Sequence, residues 1–327
     1  MIERTVIIDG VDPQTFYGVN NTNINLIRNL FPKLRMAARG NVIKVIGEDS
    51  ETAAFECKIK EIEAYAQKYN KLTDDVIIDI VKGDAPKAVN TEGVILFNQS
   101  GRPISPRNAN QAKMVRSFAE NDLTFALGPA GTGKTYIAIA LAVAALKNKA
   151  CKRVILSRPA VEAGEKLGFL PGDMKDKIDP YLRPLYDALE DMLPAVKLRE
   201  YMESDTIQIA PLAFMRGRTL NDAVIILDEA QNTTKHQMKM FLTRLGVNAR
   251  MIVTGDATQI DLPRSVQSGL LQALRILRGV KGIGMIEYEK KDIVRHPLVQ
   301  RIVDAYEARE QKVDEEFESR LNEATNV

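Results

Sequence analysis

The sequence has no tryptophan and only two cysteines and two histidines, and each scarcity removes a class of function. Cys57 and Cys151 lie far apart in no CxxC pair, so a disulfide framework and a zinc ribbon are excluded by count. His236 and His296 form no HExxH, which argues against a dedicated transition-metal site. Sparse thiols fit a reducing compartment. With ten Phe and nine Tyr in 327 residues, aromatic platforms for stacking bases are scarce. Long apolar runs are also missing. The longest, Tyr136 to Leu146, is far short of the roughly 20 residues that span a bilayer. The start, MIERTVIIDG, lacks a basic region followed by an apolar core, so no secretory signal is expected. The expectation is a soluble, cytoplasmic protein with no membrane partner. Neither sign of charge dominates: 45 Lys and Arg face 43 Asp and Glu, a net of +2. Taken alone, that total weakens a nucleic-acid reading.

What is present is an ordinary globular composition, 45% hydrophobic and 27% charged, long enough for two domains or one large domain with an appendage. Residues 1–82 read as a small α/β unit. Val6 to Ile8 is a short strand, Asn23 to Leu30 a helix, and Asn41 to Ile46 a second strand. Glu51 to Tyr69 has Phe55, Ile59, Ile62 and Ala66 at helical spacing. Residues 83–107 join a linker (around Lys82-Gly83-Asp84-Ala85-Pro86) to a β-hairpin over Gly93 to Ile104. Residues 108–303 alternate helix and strand, which implies an α/β core with a mostly parallel sheet. Its strands are expected at Leu123–Leu127, Val154–Ser157, Thr206–Ile209, Ala223–Leu227, Met251–Thr254 and Gly284–Tyr288, with a later helix starting near Pro297. Residues 304–327 form an acidic C-terminal helix or tail.

Chemistry enters with Gly128-Pro129-Ala130-Gly131-Thr132-Gly133-Lys134-Thr135, a G-x-x-x-x-G-K-[ST] loop between an apolar strand and the helix Tyr136 to Leu146. Small residues let backbone N–H groups wrap phosphates, and the helix N-terminus adds its positive dipole end. Lys134 is expected to reach the β- and γ-phosphates of a nucleoside triphosphate, and the Thr135 hydroxyl to hold Mg²⁺. The strand Ala223 to Leu227 then delivers Asp228, a second Mg²⁺ ligand, and Glu229, which can orient or deprotonate the attacking water. The bland reading of Glu229 is a solvated strand-end carboxylate. Thr254-Gly255-Asp256-Ala257-Thr258-Gln259 ends another strand at the same sheet edge. Gln259 there senses the γ-phosphate or belongs to an ordinary polar loop. In Asn108-Ala109-Asn110-Gln111, the Gln111 amide can read an adenine edge, or the segment is a helix cap through Asn108 or Asn110. Arg295, just before Pro297, is a candidate arginine finger or an ordinary surface residue, and Arg264 is its rival. Basic clusters at Lys147 to Arg153, at Arg216 and Arg218, and at Lys33 to Arg39 are solvated faces or tracks for a phosphate backbone.

Taken together, GPAGTGKT, the segment SRPAVEAGEKLGFLPG from Ser157 to Gly172, LDEAQN, TGDATQIDLP and IVRHPLVQ resemble the PhoH family over roughly Val94 to Tyr306. The order NxxQ, P-loop, DEAQ, GDxxQ is similar to the ATPase core of superfamily 1 helicases. The resemblance implies a RecA-like P-loop NTPase core using ATP and Mg²⁺, with Asp228, Glu229 and Gln259 in the roles above. It implies bacterial cytoplasm, ring-like homo-oligomers, RNA as a partner and a link to ribosomal RNA maturation, with a YbeY-type endoribonuclease as a further partner. It also implies a KH-like fold for residues 1–82, although the KH loop GxxG is replaced by Met36-Ala37-Ala38-Arg39-Gly40-Asn41. A superfamily 1 helicase has two RecA-like domains and this chain has room for one. A neighbouring subunit is expected to supply the other half, with Arg295 or Arg264 acting in trans.

Three functions compete: an RNA-stimulated ATPase that remodels or unwinds RNA, an ATP-dependent adaptor that recruits an endoribonuclease without unwinding, and a small-molecule kinase. Glu229 and the GDATQ element disfavour the kinase. The net charge no longer opposes RNA once its distribution is read. Residues 304–327 hold eight acids and three bases, leaving 42 bases and 35 acids, a net of +7, in residues 1–303.

Overall fold

Apolar residues on both faces of the central strands force helices onto both sides of one sheet. The computed structural model describes residues 1–84, 93–159, 174–263, 265–294, 298–299 and 301–302, with only the backbone of 174–180. Six parallel strands form its larger sheet: β6 (Leu123–Leu127), β7 (Arg153–Arg158), β8 (Ile207–Pro211), β9 (Ala223–Leu227), β10 (Arg250–Gly255) and β11 (Ile283–Glu287), ordered β11-β6-β10-β9-β7-β8. All six lie where the sequence places strands, within two residues at each end.

Alternate residues of these strands enter two separate cores. Ala126, Leu156 and Ile226 pack with helices α5 (Ala109–Glu120), α6 (Lys134–Lys147), α7 (Met174–Met192) and α8 (Ala195–Glu203). Phe125, Ile155 and Ile225 pack with α9 (Lys235–Leu242) and α10 (Gly269–Leu277). Helix α6 is buried almost all round, from Ile137 to Val143, which explains its unbroken apolar sequence. The parallel register brings the C-terminal ends of β6, β7, β9 and β10 to one edge, where ligands bind in open α/β sheets. One strand, β10, stands between β6, which leads into the Gly-rich loop, and β9, which leads into Asp228.

The N-terminal unit has its own antiparallel sheet, β1 (Ile2–Ile7), β2 (Arg35–Arg39) and β3 (Val42–Gly47), ordered β1-β3-β2. It carries α1 (Pro13–Tyr17), α2 (Thr22–Leu30), α3 (Asp49–Tyr69) and α4 (Asp74–Lys82) around a core that includes Phe16, Ile27, Ile43 and Phe55. The stretch Met36 to Asn41 is therefore not the loop expected from the sequence. It is strand β2 and a tight turn at Gly40, φ +60°, where no Cβ conflicts with the left-handed backbone. Alternation in Arg35–Arg39 is blurred by two alanines, which left its strand character unread. Helix α4 was also unread, and it ends at Gly83, φ +87°.

The expected hairpin is present, shorter than read, as β4 (Leu96–Phe97) and β5 (Pro103–Ile104). It joins the two units. Asn70, at the end of α3, donates to the Phe97 carbonyl at 2.9 Å, and the Tyr69 ring stands edge-on to Phe97 at 5.1 Å. The other side of the hairpin meets α7, where the Gln99 N–H donates to the Asp191 carbonyl at 2.9 Å. Residues 298, 299, 301 and 302 are helical, but Pro297, Arg295, Arg264 and the acidic segment from 304 lie outside the described residues. No described helix is long and apolar enough to cross a membrane.

Helix α6 ends in a costly position. The Lys147 ammonium is buried without a hydrogen-bond partner among the described residues, and burial pushes its pKa down to about 8. Unfolding therefore takes up a proton between about 8 and the ordinary lysine value, so stability rises with pH across that window. Lys147→Met is expected to be more stable than the wild type at pH 7. The gap should narrow at pH 9.5, as read by urea unfolding at both pH values.

Candidate active site

The Gly-rich loop leaves β6 and is pinned on both sides. The Gly128 N–H donates to the Gly255 carbonyl at 3.1 Å, and the Val294 N–H donates to the Gly131 carbonyl at 3.0 Å. Gly128 has φ +138°, and a Cβ there would lie 2.5 Å from the Tyr288 carbonyl oxygen, so only glycine fits. Gly131 and Gly133 also take positive φ, which turns the chain tightly into α6.

Lys134 folds back over this loop, donating to the carbonyls of Gly128 at 2.6 Å and Pro129 at 2.8 Å. Burial holds its pKa below the usual lysine range, partly offset by Asp256, Glu229 and Asp228. The Thr135 hydroxyl donates to Asp228 Oδ1 at 2.6 Å, and the Thr254 hydroxyl donates to the same oxygen at 2.7 Å. Asp228 is buried, and the two residues that the sequence assigns to Mg²⁺ are in direct contact.

Glu229 sits in the left-handed region, φ +52°, which ends β9 abruptly. Both of its oxygens are engaged: Arg158 donates to Oε1 at 2.8 Å and Gln231 to Oε2 at 2.6 Å. Arg158 also lies 3.6 Å from Asp228 Oδ2. Gln259 is exposed on the loop after β10, and it lines one cavity of about 580 Å³ together with Lys134, Thr135, Arg158, Asp228 and Glu229. A larger cavity, about 730 Å³, opens between the N-terminal unit and the back of α6. It lacks the P-loop and the paired Thr135 and Asp228, so the residues that the sequence assigns to nucleotide chemistry line the smaller one.

Gln111 takes another position. It is buried, its Oε1 accepts from the Arg107 N–H at 2.7 Å, and its Nε2 donates to the Thr132 carbonyl at 3.0 Å. In this arrangement its amide braces the P-loop from behind and does not line the cavity. The capping alternative is realised by Asn108, which accepts from the Gln111 N–H at 2.8 Å and caps α5. Arg295 and Arg264 lie outside the described residues, so no geometry is assigned to either.

Three site residues went unread in the sequence. Arg158 ends β7 as Asp228 follows β9, and the same rule of strand ends at one sheet edge points to it. Asp256 accepts from the Ala130 N–H at 3.2 Å and from the Thr258 hydroxyl at 2.6 Å, tying the loop after β10 to the P-loop. Gln231 links Glu229 to the Asp256 N–H, which donates to its Oε1 at 3.0 Å. Neither residue could be singled out from its motif without the fold.

Known proteins resemble this chain over most of its length. Residues 103–307 match the family model described as PhoH-like protein. The chain is 50% identical over 279 residues to the PhoH-like protein of Bacillus subtilis, covering 84% of this chain and 88% of that one. It is 42% identical over 243 residues to Protein PhoH of Escherichia coli K12, covering 74% of this chain and 68% of that one. Among solved structures, the Sulfolobus solfataricus SWI2/SNF2 ATPase core in complex with dsDNA aligns over 58% of this chain and 47% of its own. Its TM-score is 0.35 at 17% identity, too distant to carry an argument.

The bracing role of Gln111 is testable. Gln111→Leu should weaken binding of ATP and GTP analogues equally, by about fivefold for the hydrogen bond lost to the P-loop. A loss confined to the adenine nucleotide in fluorescence titration would return Gln111 to adenine reading. Gly128→Ala should abolish binding of both.

Proposed function

Since the chain belongs to the PhoH-like protein family, we propose that this P-loop ATPase is Mg²⁺-dependent and spends its hydrolysis on RNA, as an oligomeric remodeller or helicase in ribosomal RNA maturation. The observation that carries the hydrolytic part is the convergence of Lys134, Thr135, Asp228, Glu229 and Gln259 on one cavity.

A hydroxyl and a carboxylate 2.6 Å apart are hard oxygen donors of the kind Mg²⁺ takes. Thr135 and Asp228 would hold the ion, which when bound neutralises charge on the β- and γ-phosphate oxygens. Lys134 exchanges the Gly128 and Pro129 carbonyls for phosphate oxygens, a charge-assisted contact that outweighs the neutral pair it replaces. Glu229 takes a proton from the attacking water as its oxygen bonds to the γ-phosphorus, and the bond to the ADP oxygen breaks. Gln259 orients that water or senses the γ-phosphate. Arg295 or Arg264 of a neighbouring subunit stabilises the transition state.

The oligomer reading draws support from the segment beside the P-loop. Val294 contacts Gly131 through its backbone, and Val294, Val299 and Ile302, within seven residues of Arg295 in sequence, expose apolar side chains. Such a patch suits a subunit contact that carries an arginine into the next site. In this reading residues 1–82 form a KH-like unit, 83–107 the connecting linker and hairpin, 108–303 the ATPase core and 304–327 an acidic tail. RNA and a YbeY-type endoribonuclease are the partners.

Lys134→Ala should lose nucleotide binding. Glu229→Gln should bind ATP and hydrolyse it about 10²-fold or more slowly. A wild-type rate for the Gln variant would overturn the water-activation role. ATP turnover with and without RNA at low salt, read beside native mass, tests the rest. A monomer, or a turnover that RNA leaves unchanged, would defeat the remodelling part while leaving the ATPase in place.

A further inference from the structure

Aromatic side chains are few in this protein, and most of the described ones pack in or against its cores. Phe214 does not. It is 62% exposed, and among the described residues it is the one exposed Phe or Tyr. It lies in the 3₁₀ turn Leu212–Met215 that follows β8. Its neighbours Leu212 and Met215 are buried in the same core as Met238 and Phe241 of α9, so the turn and the helix form one firm platform. Phe214 points away from that packing.

The platform is also uniformly basic. No acidic residue occurs in 206–221 or in 230–255, which contain the turn and α9. Arg216, Lys235 and Lys239 are exposed and make no ion pair among the described residues. Arg218 and Arg244 have structural work: Arg218 donates to Gln208, and Arg244 to the Arg218 carbonyl. Beside them Gly217, φ +76°, has open space where a Cβ would stand, so a ligand backbone can approach closely.

We propose that Phe214, Arg216, Lys235 and Lys239 form a binding face for single-stranded nucleic acid, with one base stacked on Phe214 and the phosphates neutralised by the three cations. This rests on the nucleic-acid part of the function proposed above. A π-face with exposed cations on the same turn and on the helix packed against it is what an unpaired base and its backbone require, and stacking tolerates any sequence. A protein partner would need an apolar surface wider than one ring, and the exposed side chains of this turn and of α9 include Arg216, Lys235 and Lys239.

The position links the face to the ATPase. Pro211, the last residue of β8, is in register with Arg158 of β7, whose guanidinium holds Glu229 at 2.8 Å. Phe214 stands three residues beyond that pairing, past the end of the strand next to the one that carries the arginine holding Glu229.

The test uses the full chain and fluorescently labelled oligouridine and oligothymidine, with anisotropy read at about 50 and 200 mM salt. Phe214→Ala and Phe214→Leu should bind about tenfold or more weakly, and Phe214→Trp should bind as the wild type. Arg216→Gln should lower the slope of log affinity against log salt by about one. Basal ATP turnover should be unchanged in all four variants, and its stimulation by the oligomer should be lost with Ala and Leu. Equal affinities for wild type, Ala and Leu would overturn the face while leaving nucleic-acid binding in place. Full binding by Leu but not Trp would show that no base stacks on Phe214 and would overturn the face as well. A wild type that binds neither strand would overturn the face and the nucleic-acid reading together, and basal hydrolysis in the same samples would show the ATPase reading standing apart. The preference between uridine and thymidine strands identifies which nucleic acid the face takes.

Discussion

The arrangement of the active edge depends on one carboxylate. Asp228 Oδ1 accepts from Thr135, at the start of the P-loop helix, and from Thr254, near the end of β10. Its own N–H donates to the Ser157 carbonyl at 2.9 Å, at the end of β7. Three strand ends and one helix start therefore meet at a single buried residue. A buried carboxylate is tolerated only when its lone pairs are satisfied, and here the satisfying groups come from segments far apart in sequence. Loss of any one of these donors leaves Asp228 under-satisfied, so the site is specified by the fold as much as by its motifs.

A second chain of contacts runs from this edge to the N-terminal unit. Tyr136 follows Thr135 on α6, and its hydroxyl donates to Asp191 Oδ2 on α7 at 2.5 Å. Asp191 Oδ1 accepts from Asn98 of the hairpin at 3.2 Å, and Asn70 of α3 donates to the Asn98 carbonyl at 3.2 Å. Burial and the Asp191 carboxylate together raise the Tyr136 pKa, so its hydroxyl stays a donor. The small hairpin is thus the joint that fixes the N-terminal sheet relative to the P-loop helix. Contiguity of this kind fixes position, and a two-state element would be needed before it carried a signal.

Much of this was legible in the sequence because parallel strands advertise themselves. Runs such as Ala223 to Leu227 and Leu123 to Leu127 are apolar on both faces, and the polar residues that follow mark the strand ends. The P-loop and the residues Asp228 and Glu229 could therefore be placed before any coordinates. What could not be read was tertiary. Gln111 looks the same in sequence whether its amide faces a base or the Thr132 carbonyl. Arg158 sits in the most distinctive segment of the chain, yet its contact with Glu229 spans 71 positions and needs the β7–β9 register to appear. Strand β2 and helix α4 were missed for a local reason. Two alanines flatten the alternation of the first, and the second runs into a Gly-Asp-Ala-Pro stretch that reads as linker.

The charges around the cavity give a physical reason to look for a further cation. Lys134 and Arg158 line it, against Asp187, Asp191, Asp228, Glu229 and Asp256. Five carboxylates against two cations leave a formal excess of three negative charges before any phosphate enters. A nucleoside triphosphate would add about four more, in a setting where the interaction of unit charges is far stronger than in water. One divalent ion offsets two of them. Asp187 and Asp191 lie on the α7 side, where Asp187 pairs with Arg183 at 2.7 Å, which spares the phosphates part of that repulsion. The remaining imbalance still favours a site completed by a cation from outside the described shell. In the proposed oligomer, an arginine from a neighbouring subunit would supply that charge, and an isolated subunit would bind its substrate better than it could hydrolyse it.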